Sequence, residues 1–220
     1  MSLIQQVDRF LLALVVVALV VSVGVAMWDG DFFQYRYAVE DGPVENATAL
    51  FLFGAAVVLA SHGRSLLARG AARLAAFTFL YAIVFVFGAG EEISWGQRVF
   101  DWDTGEFFQE HNIQNETNLH NLVVGETHLT KSLFGPILTL IILTYLVVLP
   151  LLYGRWHWLD GVVNWMAVPV PGRRHAVLAV LATVVIGVLA ATRKWEVYEL
   201  VFGLLAMSVF LLPQNRDKIV

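Results

Sequence analysis

From Phe10 to Trp28 the chain runs 19 residues without a charged side chain, and several comparable runs follow it. This pattern constrains the fold more than anything else in the sequence. A helix crossing the hydrocarbon core of a bilayer needs about 20 mostly apolar residues. Inside that core every backbone N–H and C=O must be paired within the element, which leaves helices or closed barrels. The runs are helix-length, and they predict spans at about 10–28, 43–60, 71–90, 132–152, 176–191 and 195–212. The expected fold is therefore an all-α integral membrane protein with six transmembrane helices. It forms one transmembrane domain over residues 1–220, with an ordered outward segment between the third and fourth helices.

Composition agrees: 58% of the 220 residues are hydrophobic. There is no cysteine, which excludes disulfides, thiolate nucleophiles and thiolate metal ligands. The first apolar run is too long for a cleaved signal and ends at Trp28-Asp29 with no small-residue cleavage pattern, so it reads as a retained helix.

Charge distribution gives the expected orientation. With six spans, Arg9, Arg64, Arg69, Arg73, Arg155, Arg173, Arg174, Arg216 and Lys218 fall on one side, nine of the 14 basic residues. Arg36, Arg98, Lys131, Arg193 and Lys194 fall on the other. Basic residues favour the cytoplasm, so both termini are expected there, in a cell membrane. Of the 18 acidic residues only Asp8, Asp160 and Asp217 share that side. The remaining 15 face outward.

The outward acids concentrate between Gly90 and Asn121, which holds seven acidic residues, two of the six histidines and a run of amides. Polar groups near lipid cost free energy unless paired or used. Glu91 and Glu92 stand at a helix C-terminus, where the helix dipole disfavours anions, and adjacent carboxylates repel. A solvated pair with Arg98 as partner is the plainer explanation. Glu45, in the first turn of the second helix, is explained by the dipole alone; Asp41 and Asn46 join a site only if Glu45 does. A short helix over 115–124, capped by Asn115, would put Glu116 and His120 on one face, a spacing that can ligate one metal ion. Glu92, Glu116, His120 and His111 are the candidate metal ligands, with His128 a further flanking histidine; a His–carboxylate set suits zinc, iron or manganese. His62, His157 and His175 fall on the opposite side. Glu196 and Glu199, with Arg193, Lys194 and Trp195, read as an interfacial anchor or headgroup clamp.

Three blocks carry a resemblance: E-D-G-P-V-E-N at Glu40 to Asn46, G-E-E-I-S-W-G-Q-R at Gly90 to Arg98, and Q-N-E-T-N-L-H-N at Gln114 to Asn121. Together they resemble a group of small multi-pass prokaryotic membrane proteins of uncharacterised function, which implies an architecture and no mechanism. Glu91-Glu92 also resembles the glutamate pair of the membrane-embedded CAAX-protease family, E-E-x-x-x-R. Here Gly96 occupies the arginine position and Arg98 lies two residues beyond it. Phe107 to His111 and His111 to Asn115 match that family's F-x-x-x-H and H-x-x-x-N patterns, but within one polar stretch and sharing one histidine.

The expected function is an outward-facing membrane enzyme, a metal-assisted or carboxylate/His acid–base hydrolase or transferase on a lipid-like substrate. Glu91, Glu92, Glu45 and Arg98 are its candidate catalytic residues, Arg98 binding an anionic group. Membrane lipids are the expected partners and nucleic acid is not. The alternative is an accessory or assembly subunit docking other membrane subunits through its aromatic, acidic outer segment. Cation or proton movement ranks behind both, because no carboxylate falls at mid-span to relay it.

Overall fold

The structure is a computed structural model describing residues 2–220, the side chains at positions 131 and 132 apart. It is almost entirely helical, with one two-residue hairpin as its only sheet among the described residues.

Helix α1 (Leu3–Trp28) starts well before Phe10 because Ser2 closes a capping box. Gln5 N–H donates to Ser2 Oγ at 3.3 Å and Ser2 N–H donates to Gln5 Oε1 at 3.0 Å. Asp8, Leu11, Val15, Leu19 and Ser22 form its buried stripe, at the spacing of one helical face. Helix α2 (Pro43–Ala68) begins on Pro43 as the sequence predicts, the missing N–H costing nothing in a first turn. It runs beyond residue 60, however, absorbing a predicted loop. Gly63 is tolerated there because a Phe79 ring atom lies 3.0 Å from where a Cβ would stand, so the thin backbone seats the next helix. A tight turn through Gly70 (φ 77) leads into α3 (Ala72–Glu92).

Beyond α3 come a helical turn at Gln97–Phe100, the short α4 (Glu106–His111), and strands β1 (Val123–Val124) and β2 (Thr127–His128) around Gly125. Helix α5 covers residues 130–152 and contains two π-helical stretches, Thr130–Ile137 and Thr144–Val148. Pro136 lies inside the first stretch rather than in an opening turn. The wider winding absorbs the absent donor, and Gly135 gives it room: a Cβ there would be 2.6 Å from Thr130 O. A surface helix α6 (His157–Trp165) then leads to α7 (Arg173–Val188) and α8 (Lys194–Leu211).

Among the described residues four helices are long and apolar enough to cross a membrane: α1, α2, α3 and Leu133–Leu152 of α5. α7 has 16 residues, and α8 has 18 with Lys194, Glu196 and Glu199 in its first two turns. α8 is nonetheless the packing centre. Val197, Leu200, Val201, Leu204, Leu205 and Val209 are all buried, against α1, α2 and α7.

The six long helices run alternately between two ends of the molecule. One end is tied by Arg174 to Asp8 at 3.0 Å, Ser208 Oγ to Asp8 at 2.7 Å, Tyr81 OH to Met166 O at 2.8 Å and Arg69 to Val220 O at 3.1 Å. The other end is tied by Thr192 to Gln34 at 2.7 Å, Arg193 to Glu40 at 3.5 Å, and Gln114 to Glu40. The segment from Ile93 to Leu129 sits on this second end.

Candidate functional site

The packing of α8 and α3 on α2 decides which carboxylates meet. Gly203 of α8 abuts α2 so closely that a Cβ would lie 3.4 Å from Phe51 Cβ and 3.5 Å from Thr48 O. Gly88 of α3 approaches the same place, its would-be Cβ 3.7 Å from Leu52. On α2, Glu45, Thr48 and Leu52 share a face; on α8, Glu196, Glu199 and Gly203 share one; on α3, Gly88 and Glu92 are one turn apart. Packing around Leu52 therefore gathers four carboxylates one to two turns above it. Glu92 lies within electrostatic range of Glu199, Glu45, Glu196 and Glu91, and Glu45 within range of Glu196, Glu116 and His120. Glu45 is buried, Glu92 and Glu196 half-buried and Glu199 exposed, so the group opens away from the packed interior on the Glu199 side.

Glu91 points the other way and organises the loop above. It is buried, and its carboxylate accepts from Trp95 Nε1 at 2.9 Å, Leu119 N at 2.6 Å and His120 N at 3.1 Å. His120 Nδ1 lies 3.6 Å from Glu91 Oε2 and interacts electrostatically with Glu45 and Glu196. At 3.6 Å this is longer than a hydrogen bond. His120 is thus held by its backbone and edge against one glutamate, with the four-carboxylate group beside it.

The chain leaves α3 through three consecutive left-handed residues, Ser94 (φ 46), Trp95 (φ 56) and Gly96 (φ 79). Two of them carry side chains, so the conformation is costly and must be held from outside. Ser94 Oγ donates to Glu116 at 3.1 Å, Asn118 Nδ2 donates to Ser94 Oγ at 3.1 Å, and Trp95 is pinned by Glu91. The amide-rich stretch around Glu116 then satisfies itself. Asn112 Nδ2 donates to Asn118 Oδ1 at 2.9 Å, Asn118 Nδ2 to Glu116 at 2.8 Å, and Asn121 Nδ2 to Gln114 Oε1 at 3.0 Å. Asn112, Glu116, Asn118 and Asn121 are all buried. Side-chain amides do here what a helix or sheet would do with backbone groups.

This network overturns the short helix expected over 115–124. Asn115 is left-handed (φ 57), and Asn112 bridges Leu122, so the stretch is a closed loop. Glu116 and His120 consequently do not share a helical face. Glu116 is bound to Arg98, Ser94 and Asn118; Arg98, though half exposed, also pairs with Asp41 and so ties two chain segments together. His111 is exposed, its ring 4.7 Å from Phe107 and its Nδ1 on Phe107 O at 2.9 Å. The expected metal set of Glu92, Glu116, His120 and His111 is thus dispersed, and among the described residues no three His, Asp or Glu side chains are placed to hold one metal ion. Of the Glu45 neighbours, Asn46 turns back to Asp41 O at 2.7 Å and Gly42 O at 2.9 Å, closing the turn before α2.

Glu196 and Glu199 are the residues the sequence undervalued. Read as an anchor, they belong to the carboxylate group instead. Their sharing a face with Gly203 was the available signal, since a helix-face glycine marks close approach. No protein-family model, curated protein or solved structure matches the chain.

Proposed function

We propose that the protein is a six-span membrane protein with both termini cytoplasmic, and that its outward end carries an acid–base site acting on the headgroup region of a lipid-like substrate. α7 and α8 complete the six spans: they run between the same two ends as the four longer helices, and the short loop 189–193 joins them. Basic residues gather at the end bearing Asp8 and Arg174, acidic residues at the other.

One observation carries the chemical reading. Glu45, Glu92, Glu196 and Glu199 converge beside the Glu91–His120 pair, with Arg193 the cation in range of Glu196 and already paired to Glu40. So many carboxylates cannot share a partly buried place as bare anions; protons or a cation must neutralise them. A purely structural site would pair each with Lys or Arg, as the fold does for Glu116 and Asp8. Carboxylic acids kept neutral next to an oriented imidazole are the ingredients of general acid–base catalysis.

In the proposed step His120 takes a proton from water, and the water oxygen bonds to the electrophilic centre of an ester in the substrate. The ester bond breaks, and a protonated Glu92 delivers its proton to the leaving oxygen. Glu91 holds His120 in place through its backbone N–H and ring edge. The test is turnover of a total polar lipid extract by protein in nanodiscs, followed by mass spectrometry. Glu92→Gln and His120→Ala should each cut product formation by roughly a hundredfold or more. Absence of any wild-type product between pH 5 and pH 8, with and without divalent ions, would remove the enzyme reading. The accessory-subunit reading would then lead, favoured by the exposed Val99, Phe100 and Phe107 on the outer segment.

A further inference from the structure

A concavity lies on the outer segment. It has a volume of about 490 Å³ and is lined by Gln97, Trp102, Asp103, Thr104, Gln109 and Asn115. None of these residues belongs to the acid–base site, and the inference below stands independently of that reading.

The pocket is built by a small hydrogen-bonded frame. Thr104 Oγ1 donates to Asn115 O at 2.5 Å and accepts from Gln97 Nε2 at 2.5 Å, while Gln109 Nε2 donates to Thr104 O at 2.5 Å. Thr117 N–H donates to Gln97 Oε1 at 2.7 Å, fixing that amide's orientation. The frame ties α4, the turn after α3 and the amide loop into one wall. Trp102 stands at the rim, 43% exposed, its ring 5.7 Å from Phe100 and nearly parallel to it at 17°. That stack holds the indole as a flat surface.

What the frame leaves over indicates the ligand. Among the described residues, the Asp103 carboxylate, the Asn115 side-chain amide, Gln109 Oε1 and Trp102 Nε1, all on exposed residues, make no hydrogen bond to protein and are open to a ligand from solvent. These are two acceptor groups, one donor, and one amide that both donates and accepts. No Lys or Arg lines the pocket, and Asp101, Asp103, Glu106 and Glu110 lie in the same stretch, which disfavours an anion. A simple cation would use Asp103 and the indole face but would leave the Trp102 Nε1–H donor without an acceptor. A neutral polyol fits all of it. Its hydroxyls both donate and accept, and the apolar C–H face of a sugar ring lies flat on an indole.

We propose that this pocket binds a neutral sugar, presented either as free glycan or as the headgroup of a glycolipid, stacked on Trp102 and hydrogen-bonded to Asp103, Asn115 and Gln109. The test uses full-length protein in phosphatidylglycerol nanodiscs. Glucose and N-acetylglucosamine are added free, and monoglucosyl diacylglycerol is incorporated in the disc. Binding is read by saturation-transfer NMR of the sugar protons and by tryptophan fluorescence, with spermidine and choline as cationic controls. Saturable sugar binding is expected, lost in Trp102→Ala and weakened at least about tenfold in Asp103→Asn and in Asn115→Ala. Response to free sugar identifies a soluble glycan, and response to the glycolipid alone identifies a lipid headgroup. Trp102→Phe retains a flat ring and should keep most of the affinity, which separates lost stacking from misfolding. Preference for spermidine or choline over every sugar would overturn the proposal. So would the absence of saturable binding in all three sugar arms, or sugar binding unchanged in Trp102→Ala.

Discussion

Replacing Glu91 with alanine should release the outer segment from the helical bundle without dissolving the bundle itself. Glu91 is 5% exposed and accepts three hydrogen bonds, from Trp95 Nε1, Leu119 N and His120 N. Hydrogen bonds to a charged acceptor contribute roughly 1.5–3 kcal/mol each, and an orphaned buried donor costs roughly 1–3 kcal/mol. Part of this is recovered as water reaches the three freed N–H groups and as the carboxylate's own desolvation cost disappears. A net local loss of about 3 kcal/mol remains, confined to the loop from Ile113 to Leu122 and the left-handed turn at Ser94 to Gly96. By the Boltzmann factor, about 3 kcal/mol raises the opened population roughly a hundredfold. Limited proteolysis at low protease concentration reads that population directly, because cleavage follows opening in the fast-exchange regime. Cleavage between residues 101 and 122 should accelerate by roughly a hundredfold in Glu91→Ala, while the long helices stay intact by circular dichroism. Glu91→Gln should fall between, since one amide oxygen can still accept but its N–H₂ faces donors. An acceleration below about threefold in Glu91→Ala would show that the segment does not hang on this carboxylate.

Other outcomes follow from single contacts. Gly96→Ala should lower stability by about 1–2 kcal/mol in thermal unfolding, because φ is 79 and the new methyl would sit 3.0 Å from the Phe100 ring. Arg174→Ala should cost about 2–4 kcal/mol of global stability, since it leaves the Asp8 carboxylate, 1% exposed, with Ser208 but without its cation; Asp8→Asn should cost less, because the half-exposed Arg174 can be solvated. Reporter fusions after Gly70 and after Arg155 should score as cytoplasmic and one after Gly105 as external, and any reversal would move the carboxylate group to the cytoplasmic face.

The apolar runs settled much of the fold by themselves. Burying a backbone in hydrocarbon leaves few options, so a long uncharged run declares a helix wherever it occurs, as Phe10 to Trp28, Leu74 to Ala89 and Leu133 to Leu152 do. Pro43 likewise marked a helix start through its own covalent geometry. The polar part was legible only as an inventory. That Glu91 and Glu92 needed an explanation followed from their place at a helix end, but the partners of each did not. Adjacent in sequence, they point to different surroundings: Glu91 into a loop whose conformation is set by amide-to-amide bonds, Glu92 into a group assembled by α2 and α8. Local propensity suggested a helix over 115–124. The loop won because Asn112, Asn118 and Asn121 bond each other across it, and such pairings have no periodicity to read. The meeting of Glu45 with Glu196 and Glu199 depends on residues about 150 positions apart. It was fixed by how α3 and α8 pack on α2 around Leu52, which is a property of packed surfaces and not of any one stretch of chain.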